Sequence, residues 1–353
     1  MLIGAWAIVL TAFVGGAVWL FLFGSDPADD TAAGPPRVSM SMSVFRQAKP
    51  TNLQPGAINP ESGAPSSPPA GQAPQGTGGT TLAAAGLHPH PDPLLVEKSD
   101  LGPLPIIGKD GRSPWRVYAR PFSLLDERPR VAIVITRLGV SEDLTKRAIE
   151  LLPGTVTLSF APFSKDLAEW IDTSRTDGHE VLIDLPMEPI DYPSNDPGPH
   201  TLLASVPIDQ NLRQLEWILT RATGYVGVST YMGSGLATKP RALTPILTEL
   251  KSRGLLLLDT RDNPVGLTGK LAAEIGLTVA ANEMHLDRQQ SRAHIFERLQ
   301  VLEKRAKKQG AIVAIARPYP VTLESLRDWL RTLDGKGIAI APVSALAKSG
   351  ESR

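Results

Sequence analysis

Cysteine is absent from all 353 residues. That excludes disulfides, thiolate catalysis and cysteine-ligated metal, although it does not fix the compartment. An excess of charge is missing too. Lys plus Arg number 36, Asp plus Glu number 36, and the sequence pI is about 7.0. A nucleic-acid partner therefore has no electrostatic footprint here. Charge is wholly lacking from Leu2 to Phe23, and sustained hydrophobic periodicity is lacking from Ser25 to about Leu101.

Those two gaps define the first third of the chain. LIGAWAIVLTAFVGGAVWLFLF has the length of a bilayer-spanning helix, with Trp6 and Trp19 towards its ends. It is longer than a usual signal-peptide core, and no small-x-small cleavage site follows it. Residues 1–24 are expected to form a single-pass anchor in the inner (cytoplasmic) membrane, leaving the rest on the periplasmic or extracytoplasmic side. Residues 25–101 hold much of the chain's 32 Pro and 31 Gly. They are expected to be a disordered tether, with His88 and His90 in a solvated HPHP run. Residues 102–127 read as an N-terminal extension that docks through Trp115, Val117 and Tyr118. Residues 348–353 read as a tail.

Between residues 128 and 347 the pattern changes. Val131-Ala132-Ile133-Val134-Ile135 is an unbroken apolar run that suits a strand covered on both faces. It ends in Thr136-Arg137. Ser141 is a candidate N-cap for a helix over 142–151. Strand-like runs then alternate with helical spacing about seven times, closing with a strand over 337–340. This rhythm implies a parallel α/β sheet or barrel, whose functional groups sit at the C-terminal strand tips.

Seven stretches give the rhythm a more specific meaning: LPGTVTLSFAPF (152–163), GHEVLIDLPMEP (178–189), GPHTLL (198–203), YMGS (231–234), RGLLLLD (253–259), RPYP (317–320) and PVSAL (342–346). In this order and spacing the chain resembles the divergent polysaccharide deacetylases. The resemblance implies a distorted, incomplete (β/α) barrel. It also implies a divalent metal, usually zinc, held by Asp and His at strand tips, with a second carboxylate as base. The residues here depart from that pattern. The family's Asp-Asp pair falls on Thr136-Arg137. Its His before Met-Gly-Ser is Tyr231, its His before Pro-Tyr-Pro is Arg317, and the second His of its GHEVLLHLPMEP pattern is Asp184. His179, Glu188 and Asp259 remain. A Thr hydroxyl is no general base near neutral pH, and a guanidinium repels a divalent cation.

The candidate pocket is therefore Thr136, Arg137, His179, Asp184, Glu188, Tyr231, Asp259 and Arg317. If metal binds at all, Asp184 and Asp259 could join Glu283, His285 and Asp287, which alternate and would share one strand face. His179, following Gly178, also reads as a structural hydrogen-bonding residue. A further expectation is that Arg137 and Arg317 replace the metal by pairing with Asp184 and Asp259. Three functions stay open: a catalytically impaired glycan-binding module of the cell envelope with no metal, an active zinc-dependent deacetylase with rearranged ligands, and a scaffold for envelope proteins.

Overall fold

The structure is a computed structural model and describes residues 86–348 except Leu124 and Pro264. The expected membrane anchor lies outside the described residues. Among the described residues no helix is long and apolar enough to cross a membrane.

The chain builds its core from parallel strands separated by helices. The strands are β3 (Arg130–Leu138), β4 (Thr157–Phe160), β5 (Val181–Met187), β6 (Gly227–Met232), β7 (Leu256–Asp259), β8 (Val279–Ala281), β9 (Met284–His285), β10 (Ala311–Ala316) and β11 (Ala339–Ile340). Their order is β8-β7-β6-β5-β4-β3-β10-β9, with β11 against the start of β3. The sheet's two end strands, β8 and β9, are consecutive in the chain. The crossing is short: Asn282 N donates to Asp259 O and Glu283 N to Val313 O. The two edges therefore face each other without a β8–β9 ladder, which makes an incomplete barrel.

Strand period 2 sorts the side chains into two layers. Val131, Ile133 and Ile135 of β3 join the cluster that also holds Leu215, Leu243, Ile246, Leu299 and Leu326 from the helices. Ala132 and Val134 join a second cluster with Leu182, Leu256, Leu258, Val313 and Ile315. That second cluster fills the barrel interior. Leu95, Tyr118 and Val343 complete it. Each fully buried Leu or Ile contributes roughly 1.5–3 kcal/mol, so the strand layers dominate the fold's stability.

The outer helices are α2 (Glu142–Leu151), α3 (Leu167–Thr176), α4 (Ile208–Leu219), α5 (Pro240–Ser252), α6 (Thr268–Glu274), α7 (Arg292–Gln309) and α8 (Pro320–Leu330), after a short α1 (Pro114–Val117). Ser141 caps α2 as expected, its hydroxyl accepting from Leu144 N at 3.5 Å, with Glu142 and Asp143 in the first turn.

The linker boundary at residue 101 needs correction. Val96–Ser99 (β1) pairs antiparallel with Gly102–Pro105 (β2), and Leu95 is fully buried. His90, expected to be solvated, lies 3.1 Å from Asp172 and 3.3 Å from the Thr223 hydroxyl. Local composition hid this segment, because its burial depends on partners far along the chain. The extension docks as expected: the Tyr118 hydroxyl accepts from Asp92 N, and Trp115 and Val117 pack on the interior cluster. At the other end Lys348, expected in the tail, exchanges backbone hydrogen bonds with Val279.

Candidate functional site

The inward positions that are apolar through the barrel turn polar at the strand tips. Leu182 is followed two residues on by Asp184, Val134 by Thr136, Leu258 by Thr260 and Ile315 by Arg317. The same parity thus carries these side chains over the top of the packed interior. There they line a cleft of about 370 Å3, whose walls include Arg137, Tyr231, Asp262, His285, Asp287 and Arg288. A second depression of about 560 Å3 adjoins it and shares Thr230, Asp262, His285 and Arg288.

The floor is a hydrogen-bonded set around Asp184, which is 2% exposed. Its Oδ1 accepts from the Ser159 hydroxyl at 2.5 Å and the Ser229 hydroxyl at 2.8 Å, and its Oδ2 accepts from Arg137 N at 3.0 Å. Burial still pushes the Asp184 carboxyl above the usual carboxylate range, against those donors. Ser159 and Ser229 sit on β4 and β6, the neighbours of β5, so the sheet order itself assembles this floor.

Arg137 reaches Asp184 through a backbone irregularity. The β3–β4 register shifts between Ile135 and Leu138, and Arg137 takes φ 65°. Such a bulge re-aims a strand tip, and a left-handed non-glycine residue is strained. The rims repeat the device: Met232, the last residue of β6, and Arg261, just past β7, have φ 60° and 54°. The Arg137 guanidinium lies 4.3 Å from the centroid of the Tyr231 ring. Burial pulls its affinity for the proton down, with Asp184 opposing.

The expected side-chain pairing of Arg137 and Arg317 with Asp184 and Asp259 is therefore corrected. Arg137 serves Asp184 through its amide. Arg317 N donates to Asp287 Oδ2 at 2.7 Å, while its guanidinium donates to the Tyr319 hydroxyl at 3.1 Å. Asp259 lies in the adjoining depression and accepts from Arg261 N. Thr136 does line the cleft, its hydroxyl donating to Ala316 O at 3.4 Å.

Two other candidates are placed elsewhere. His179 precedes β5 at the opposite end of the barrel, fully buried, with Nδ1 2.8 Å from Val156 O. Its structural reading holds, and it does not reach the cleft. Glu188 braces a loop by accepting from Ala204 N at 2.6 Å.

The alternating Glu283, His285 and Asp287 do not form one metal-facing row. Glu283 pairs with Arg305 at 2.6 Å. Asp287 is held by Arg317 N and the Thr322 hydroxyl. His285 Nε2 lies 3.6 Å from Asp262 Oδ1. Its pKa is lowered to about 4, first by burial and then by Arg288 and Arg317. Among the described residues no group of three or more His, Asp or Glu is disposed to hold a metal ion. The residues present do not suit a divalent cation: the carboxylates are committed to amides and hydroxyls, and arginines stand beside them.

Sequence reasoning missed Ser159, Ser229, Asp262 and Arg288. The two serines did leave a signal, a small hydroxyl residue inside a buried strand segment. Asp262 and Arg288 sit in loops with no diagnostic spacing.

A family model for divergent polysaccharide deacetylases matches residues 133–347. An uncharacterized protein of Haemophilus influenzae is 26% identical over 207 residues, covering 58% of this chain and 72% of that protein. The uncharacterized protein YibQ of Escherichia coli K12 is 25% identical over 205 residues, 58% of this chain and 63% of its own length. The crystal structure of an uncharacterized protein from Agrobacterium tumefaciens C58 is similar at 37% identity and a TM-score of 0.68, covering 69% of this chain and 99% of that chain.

Proposed function

The chain belongs to the divergent polysaccharide deacetylase family, and from that membership we propose that it is a non-hydrolytic glycan-binding protein of the cell envelope. One observation carries this reading. The strand-tip carboxylate Asp184 is sealed under Arg137, with both oxygens engaged by Ser159, Ser229 and the Arg137 amide.

Hydrolysis of an N-acetyl group needs a base for the attacking water and an electrophile on the carbonyl. Thr136 and Arg137 supply no base. Asp184 is buried and occupied, Asp287 accepts from Arg317 N and Thr322, and His285, its pKa lowered to about 4 by burial and by Arg288 and Arg317, is a weakened base. Binding needs less. Tyr319 lines the cleft with a ring on which a sugar can stack, Tyr231 lies there beneath the Arg137 guanidinium, and the arginines offer donors to sugar hydroxyls. The uncharged stretch Leu2–Phe23 supports an inner-membrane anchor, with the domain on the extracytoplasmic side where envelope glycans lie.

The test uses the full-length chain. It is incubated with insoluble peptidoglycan and with chitin oligomers, and both retention and acetate release are measured. Retention without acetate is the expected result. Acetate release together with near-stoichiometric metal by elemental mass spectrometry would restore the active deacetylase. Loss of both retention and release would remove the glycan reading altogether.

A further inference from the structure

Three guanidinium groups and three carboxylates, Asp184, Asp262 and Asp287, line the cleft, yet they do not meet in direct ion pairs. Arg137, Arg288 and Arg317 line it, and Arg298 lines the adjoining depression. Among the described residues none of these four guanidinium groups is ion-paired with a carboxylate, whereas the nearby Arg305 is, with Glu283 at 2.6 Å. The carboxylates in the cleft are turned to other partners. Asp184 accepts from Ser159, Ser229 and the Arg137 amide. Asp287 accepts from the Arg317 amide and Thr322, and Asp262 from the Thr260 hydroxyl at 3.0 Å.

Two further groups mark the same place. The Tyr231 hydroxyl and His285 Nε2 are buried and have no hydrogen-bond partner, and both residues line the cleft. A buried donor or acceptor without a partner is costly, and a ligand atom would relieve it. Guanidinium forks match oxyanions in geometry and charge, better than they match neutral hydroxyls. Guanidinium groups that no carboxylate pairs directly keep donors available to an anion that enters between them.

We propose that the cleft selects a sugar bearing an oxyanion, a carboxylate or a phosphate, with the anion among Arg137, Arg288 and Arg317 and the ring against Tyr319. This rests on the glycan-binding reading and narrows it from envelope glycans at large to acidic ones. The electrostatics agree with the geometry: Arg288, Arg317 and Arg298 each depress the proton affinity of His285, so their charge reaches the cleft wall.

The experiment is calorimetric titration of the full-length chain with four probes: an oligogalacturonate, a hexose phosphate, a neutral chitin oligomer and inorganic phosphate. The acidic sugars should bind at least about tenfold more tightly than the neutral oligomer, and more weakly as salt rises from ~0.05 to ~0.5 M. Which acidic probe binds more tightly identifies the oxyanion as carboxylate or phosphate. Arg288→Ala and Arg317→Ala remove exposed side chains, so both variants should keep the thermal transition of the parent. Each should lose about tenfold in affinity for the acidic sugar only. Equal, salt-independent binding of acidic and neutral oligomers, unchanged in the variants, would overturn this inference and leave glycan binding standing. Inorganic phosphate binding as tightly as the hexose phosphate would overturn the sugar half of it. No binding of any oligosaccharide would overturn both readings.

Discussion

The Arg137 guanidinium rests 4.3 Å from the ring centroid of Tyr231, while the backbone amide of the same arginine donates to Asp184 at 3.0 Å. One residue thus covers the cleft floor with its amide and covers an aromatic wall with its charge. The amide contact depends on the bulge in β3 and on a left-handed backbone at φ 65°.

Substitution at Arg137 separates those contributions. Arg137→Ala keeps the strained backbone and loses the cation–π contact, worth about 0.5–1 kcal/mol in a half-exposed setting. Arg137→Gly loses the same contact but relieves left-handed strain of about 1 kcal/mol. The glycine variant should therefore be the more stable of the two by about 1 kcal/mol in chemical denaturation. An alanine variant as stable as the glycine variant would mean that the backbone there carries no strain.

Asp184 gives a second test. Its folded-state pKa is raised by burial, so its protonated form favours folding. That contribution is complete below the unfolded-state value and is lost as pH rises through the folded-state value. An amide mimics the protonated acid: its oxygen can accept from Arg137 N, and its NH2 can donate to the Ser159 and Ser229 hydroxyls. Asp184→Asn should raise the melting temperature at pH 7, with the gain shrinking towards pH 4. Asp184→Ala instead leaves the serines and the amide without their acceptor and should cost about 1–3 kcal/mol.

How much of this was readable in advance follows the range of each interaction. The β3 run, the cap at Ser141 and the helix over 142–151 depend on neighbours in sequence, and they stand where the periodicity put them. The alternation of runs and helices pointed to a parallel α/β sheet or barrel, and only the family resemblance implied that the barrel would be incomplete. The hairpin at Val96–Pro105 was not, because its two prolines and charged residues look like linker until Leu95 is seen under the barrel. The departure from the family's metal ligands was legible at Thr136, Arg137, Tyr231 and Arg317. What replaced the ligands was not. The Ser159–Asp184–Ser229 floor requires three strands in a known order, and pairing Arg137 with Asp184 through side chains misjudged a bulge that no local pattern announces.

His285 provides a pH signature. Its pKa falls to about 4 in the folded chain, first through burial and then through Arg288 and Arg317, with Arg298 adding and Thr260 opposing. A depressed folded-state value contributes stability above the unfolded value, near 6.5, that is lost as pH falls towards 4. The side chain is 21% exposed, so solvent screens part of the effect. The loss should be at most ~3 kcal/mol. Denaturation of His285→Gln across this window should show a flatter profile than the parent. Parallel profiles would place the arginines' charge away from the imidazole.

Zinc completes the set. A ligand that binds only the folded chain at a hundred times its Kd adds about 2.7 kcal/mol of stability, enough to move a melting transition by several degrees. His285 Nε2 has no hydrogen-bond partner, but the carboxylates that would have to join it are engaged: Asp184 by two serines and an amide, Asp287 by an amide and Thr322, Asp262 by Thr260 and Glu283 by Arg305. Capturing the ion would require breaking those contacts and holding a divalent charge beside Arg137, Arg288 and Arg317. Melting curves of the full-length chain with excess zinc and with chelator should therefore coincide. A rise with zinc that Asp184→Asn abolishes would show that the floor opens to metal, and the arginines would then have to be read as movable gates over a working centre.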